Sequence, residues 1–83
     1  MENTTKPSQA RLVFAKNVRL ARRLRNLTQE SLALEASMSR TYVSEVERGA
    51  RNISIDSMAM LAEALDVPLA KLVDPVGFDY IKL

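Results

Sequence analysis

Three arginines and two glutamates fall within residues 39–52, SRTYVSEVERGARN, beside an apolar ridge made by Val43 and Val46. A guanidinium group is planar, permanently charged and presents its N–H donors as a rigid fork, which suits phosphates, carboxylates and other paired acceptors. Thr41, Tyr42 and Ser44 add hydroxyls that donate or accept. The chemistry on offer is recognition of an anionic, acceptor-rich partner. A solvated surface helix can carry the same residues, so their role depends on what holds them. The chain has no cysteine and no histidine, which removes thiolate nucleophiles, the commonest general base and the commonest metal ligand. No catalytic residue, metal site or cofactor is assigned, and no small-molecule ligand is expected.

Charge points the same way. Residues 1–27 hold seven bases against Glu2, a net +6, whereas the remaining 56 residues hold five bases and nine acids, a net −4. The overall +2 hides this asymmetry, which favours an anionic partner on one face. The N-terminus MENTTKPSQA is polar, and no run approaches the roughly 18 apolar residues of a membrane helix. A cytoplasmic protein is expected, with no membrane partner. At 83 residues the chain fits one domain with a thin core.

The elements that must position these residues are all helical. From Ser8 to Arg25 the apolar positions Leu12, Phe14, Val18, Ala21 and Leu24 recur mostly three or four apart, which predicts a first amphipathic helix. Asn26 sits at its end, where a residue tolerant of left-handed backbone is needed. Thr28 is an N-cap for QESLALEA, and Ser39 is one for a third helix running from Arg40 to Glu47 or Arg48, closed by Gly49. Ser54 opens a fourth helix through Leu65, with Met58, Leu61, Ala62 and Leu65 facing inward; Pro68 starts a fifth that Pro75 stops. The expected organisation is a flexible segment 1–7, a helical domain 8–75 and an apolar tail 76–83 whose destination is either its own core or a partner chain.

Taken together, the second and third helices predict a helix-turn-helix. Leu32, Ala33, Met38, Val43 and Val46 would point inward if the two packed across a tight turn, with the small Ala33 where they cross. From Phe14 to about Val73 the sequence resembles the lambda-repressor-like, Xre-type helix-turn-helix family. The resemblance is carried by LARRLRN, the TQ opening of the second helix, the inner alanine, the S-x-x-Y-V-x-x-V-E-R-G segment and ALDVPLAKL, all in order. Within the family, RTYVSEVERGARNISIDSM looks most like the controller proteins of restriction-modification systems. Two positions depart from the pattern: the family usually has glycine where Asn26 and Ser37 stand. A left-handed serine costs about 1 kcal/mol, so the turn is either mildly strained or altered in backbone.

The resemblance implies an all-α, five-helix DNA-binding domain whose third helix enters the major groove. On that helix Arg40, Thr41, Ser44 and Glu45 share the face opposite Val43 and Val46, and Arg48 lies one turn further on. Arg40 is the candidate for bidentate contact with guanine; Thr41 can meet a thymine methyl or a phosphate, and Ser44 a base or backbone. Glu45 is repelled by phosphates unless it accepts from cytosine or pairs with a neighbouring arginine, and pairing or a place at the groove edge is favoured. Gln29 is implied to bond a phosphate with help from its helix N-terminus. Tyr42 wedges beside the core with its hydroxyl aimed at a phosphate, and Arg48, Arg51 and Asn52 hold phosphate or groove edge. In the family an arginine at the place of Arg22 pairs with the glutamate at Glu47, so both are assigned to structure.

The implied partners are a double-stranded DNA operator and a second copy of the chain, because one short helix contacts too few base pairs to select a genomic site. Ile53, Ile55, Met60, Leu69, Leu72, Val76, Phe78 and Tyr80 are candidates for the dimer surface, some of which must instead fill the monomer core. The expected function is a transcriptional regulator, the autoregulatory controller of a restriction-modification system. A phage-type repressor or antitoxin-like autoregulator would share these features. An interaction module on the same fold would have no need of Gln29, Arg40 and Arg51.

Overall fold

Four helices begin alike. In the computed structural model, which describes residues 6–80, Ser8 caps α1 (Gln9–Leu24), Thr28 caps α2 (Gln29–Glu35), Ser39 caps α3 (Arg40–Glu47) and Ser54 caps α4 (Ile55–Leu65). In each, the side-chain oxygen accepts from the backbone N–H three residues on, at 3.0–3.1 Å. Each such cap satisfies a donor the helix cannot, and contributes about 1 kcal/mol. The last helix, α5 (Leu69–Leu72), begins after Pro68, which stands at the cap and not inside the first turn as the sequence suggested. Residues 1–5 and 81–83 lie outside the described residues, and with them most of the segment 1–7 and the end of the tail.

The helices also end alike. Asn26, Ser37, Gly49 and Asp66 all have φ between 58° and 72°. After each, the next N–H reaches back five residues: Leu27 to Arg22 O, Met38 to Ala33 O, Ala50 to Glu45 O and Val67 to Ala62 O, at 2.8–3.1 Å. This is the Schellman closure, which uses one left-handed residue and an apolar residue after it. Only one of the four is glycine. Ser37 therefore takes the strained alternative, with φ 58°, because Met38 must turn back toward the core. The left-handed Asp66 was not anticipated; aspartate tolerates that backbone better than most residues do.

The core forms between the stripes these closures aim inward. Phe14, Val18 and Ala21 of α1 meet Leu32 and Ala33 of α2, Val43 and Val46 of α3, Leu61, Ala62 and Leu65 of α4, and Leu72 of α5. Ala33 is 3% exposed, and α2 and α3 pack on each other as a helix-turn-helix. Leu12 and Leu24, read as inward, stand 43% and 52% exposed. They flank the buried stripe at 100° per residue, and Val13 and Ala15 are buried in their place. No helix among the described residues is long and apolar enough to cross a membrane.

Two dimer candidates turn out to belong to the monomer. Leu72 and Phe78 are 0% and 1% exposed, because the chain after α5 folds back over the core. Gly77 makes that return possible: a Cβ there would lie 2.4 Å from the carbonyl oxygen of Lys71. From the other side Asn17, fully buried on α1, donates its amide to the carbonyls of Leu72 at 3.0 Å, Asp74 at 2.9 Å and Lys71 at 3.3 Å. The end of α5 would otherwise bury unpaired acceptors. At the rim, Lys16 pairs with Asp79 at 3.3 Å.

Candidate nucleic-acid interface

The outer face of α3 divides its charges into paired and unpaired. At its N-terminal end Arg40 and Thr41 are exposed, and among the described residues neither side chain has a hydrogen-bonding partner. One turn on, Ser44 is half-buried and its hydroxyl accepts from Arg48 Nη1 at 2.9 Å. Ser44 keeps its own proton free to donate. Glu45 accepts from Arg51 Nε at 2.8 Å, so the carboxylate without a clear role in the sequence pairs with an arginine of the following loop. The same guanidinium lies 4.7 Å from the centre of the Tyr42 ring. Asn52 is exposed beside it.

The inner end of α3 carries a second arrangement. Glu47 has its side chain 3% exposed and receives three donors: Arg22 Nε at 2.6 Å on one oxygen, and Arg22 Nη2 at 3.0 Å and Gln29 Nε2 at 3.1 Å on the other. Arg22 Nη1 continues to the carbonyl of Leu27 at 2.9 Å. One carboxylate thus joins the end of α1, the first residue of α2 and the end of α3. Gln29 is half-buried, and one of its two amide hydrogens is spent on Glu47 while the other remains available at the α2 N-terminus.

Two arginines with no distinguishing local pattern act on the frame. Arg11 Nη1 donates to the carbonyl of Gly49 at 3.1 Å, and Arg25 Nη1 to that of Ala64 at 2.7 Å. The contacts span 38 and 39 residues of sequence, and no local pattern announces them. Leu12 packs against Gly49, where a Cβ would lie 3.0 Å from the leucine Cδ2. The basic first helix is therefore partly spent: Arg11, Lys16, Arg22 and Arg25 have protein partners, and Arg19 and Arg23 are exposed.

A helix-turn-helix family model matches residues 18–72. The chain belongs to the Xre-type helix-turn-helix family. This helix-turn-helix protein is 43% identical over 65 residues to the control protein C.BamHI of Bacillus amyloliquefaciens, covering 77% of this chain and 80% of that one. It is 40% identical over 65 residues to the control protein C.SmaI of Serratia marcescens, covering 78% and 77%. Among solved structures, the restriction-modification controller protein C.AhdI from Aeromonas hydrophila superposes with a TM-score of 0.72 at 39% identity, over 75% of this chain and 94% of that one. A hypothetical transcription factor from Neisseria superposes with a TM-score of 0.79 at 35% identity, over 89% and 88%. This Xre-type protein is a DNA-binding transcription regulator related to the controller proteins, and not an enzyme.

Proposed function

We propose that this protein binds a two-fold symmetric operator as a homodimer and serves as the autoregulatory controller of a restriction-modification system. The observation that carries the reading is the contrast along α3. Arg40 and Thr41, where a recognition helix meets base edges, are exposed and without a partner among the described residues, whereas Glu45 and Glu47 are each neutralised by an arginine. A phosphate-lined groove tolerates such a helix. Arg40 reads guanine, with Thr41 and Ser44 beside it; Gln29, Tyr42, Arg48, Arg51 and Asn52 hold the backbone or groove edge and fix register.

Dimerisation draws support from the apolar side chains left uncovered in the monomer. Ile55, Val76 and Tyr80 are 63–67% exposed and Met60 is 41% exposed, while Ile53 and Leu69 are half-buried. The controller role rests on likeness to the controller proteins. Selection of bound duplexes from a random pool is the deciding experiment. It should return an inverted repeat with half-sites about one helical turn apart, and affinity for it should fall steeply with salt. A pool without symmetry overturns the dimeric operator; salt-independent binding, or no binding, overturns DNA recognition. For the controller role, the protein should occupy the DNA upstream of its own gene and change its expression, and an unaltered reporter rules that out.

A further inference from the structure

The geometry points to Glu45 as a specificity-determining positioning residue that acts through Arg51; this rests on the DNA-binding reading above. Arg51 sits in the short loop between α3 and α4. Three contacts hold that loop residue in place. Its Nε edge is engaged by Glu45 at 2.8 Å, and its face lies over Tyr42, 4.7 Å from the ring centre. The backbone just before it is fixed as well, because the Ala50 N–H donates to the Glu45 carbonyl at 2.9 Å. Residue 45 thus grips the loop through both its side chain and its main chain.

A guanidinium has five N–H donors, and a carboxylate on Nε leaves the terminal nitrogens for another acceptor. With one edge and one face occupied, the remaining donors point in a limited set of directions. The pair is also neutral as a unit. An unpaired arginine would attract any phosphate, whereas Arg51 beside Glu45 adds little net charge to the surface and contributes to binding chiefly when an acceptor matches its fixed direction. The side chains are 50% and 31% exposed, so solvent and salt reach both, and the pair is not needed to hold the fold together. Glu45 therefore weakens sequence-blind attraction to DNA more than it weakens operator binding.

The test compares Glu45→Gln with the unaltered protein on two probes, the duplex selected from the random pool and a scrambled duplex of the same length and composition, across a salt series. Glutamine keeps the side-chain shape and removes the charge. The variant should bind scrambled DNA about three- to tenfold more tightly at moderate salt, with a salt slope steeper by about one unit, as expected for one uncompensated cation. Affinity for the selected duplex should gain less, so the ratio of the two affinities falls. In an Arg51→Ala background, Glu45→Gln should lose most of its effect on that ratio, a readout that a merely structural glutamate would not move. An unchanged ratio, or the same change in the Arg51→Ala background, overturns the proposal. If the unaltered protein shows no salt-dependent binding to any duplex, the DNA reading itself has failed; if it binds the selected duplex and the ratio stays put, only the role of Glu45 has.

Discussion

Two glutamates of the same short helix each pair with an arginine from outside it, and they face opposite ways. Glu47 points inward, its side chain 3% exposed, and its oxygens are filled by Arg22 and Gln29. Glu45 points outward, its side chain 31% exposed, and meets a single nitrogen of Arg51. The separations are similar, 2.6 Å and 2.8 Å, so distance does not distinguish them. Burial does. In the first pair neither charge regains full hydration if its partner is lost; in the second either can. The teaching is that an ion pair acquires its role from its surroundings: the inner pair fixes the geometry of three helices, and the outer pair adjusts charge at a surface.

The largest expected effect follows from breaking the inner pair. Glu47→Ala leaves the Arg22 guanidinium half-enclosed without its anion and frees the Gln29 amide, and should cost roughly 3 to 5 kcal/mol of stability, read from denaturant unfolding. For a domain of this size such a loss lowers Tm by well over 10 °C, at about 4–8 °C per kcal/mol. A loss no greater than that of an exposed pair would show that burial is not what separates them. The double variant Arg22→Met with Glu47→Leu sharpens the point. With both charges replaced by apolar groups the desolvation cost disappears, so stability should recover most of the way toward that of the unaltered protein. DNA affinity should recover less, because Gln29 has lost the acceptor that orients it.

Arg40 is the third member of the comparison, an arginine with no glutamate partner among the described residues. Arg40→Ala should leave unfolding nearly unchanged and cost about 1 to 3 kcal/mol in operator binding, with relaxed preference at one base pair in each half-site. Competition among single-base variants of the selected duplex would measure it. An unaltered preference would remove Arg40 from the reading surface.

A smaller effect is expected where the frame itself is strained. Ser37 holds φ 58° between α2 and α3, a position that glycine occupies without a steric penalty. Ser37→Gly should raise stability by up to about 1 kcal/mol, offset in part by the greater freedom of the unfolded chain. Because the turn already has this geometry, operator affinity should not change. A loss of affinity would mean that the strained serine does more than close α2.

The frame was legible in the sequence where the signals are local. Ser8, Thr28, Ser39 and Ser54 each announce a helix through a contact three residues away, and Asn26 and Gly49 mark ends by the backbone they tolerate. The α2-α3 packing followed from a small residue, Ala33, among larger ones. What escaped depends on distant partners. Asn17 looks like a polar interruption in an apolar stripe until the carbonyls of α5 are seen around it. Its register with Phe14, Val18 and Ala21 is a signal that could have exposed it. Phe78 lies in an apolar tail with two possible destinations until Gly77 lets the chain return, and Leu12 and Leu24 share the apolar spacing of α1 yet only border its buried stripe. The pairing of Arg22 with Glu47 came from resemblance to a family and not from spacing, since twenty-five residues separate them. In the sequence Glu45 has two or three defensible roles; Arg51 beside it selects pairing.

Of the two pairs, the outer one has the smaller effect on stability. Glu45→Gln removes a Coulomb attraction that water and salt already screen, while the glutamine still presents a carbonyl to Arg51 Nε and the main-chain bond from Ala50 is untouched. Exposed pairs of this kind contribute about 0 to 1 kcal/mol, so Tm should fall by about 8 °C at most. High salt should narrow even that difference, whereas it should leave the deficit of Glu47→Ala largely in place, because buried charges are poorly screened. Thermal unfolding of the two variants at low and high salt is therefore the most direct check on the comparison. Parallel salt responses would mean that the two glutamates, one turned inward and one outward, sit in electrostatic environments more alike than their burial implies.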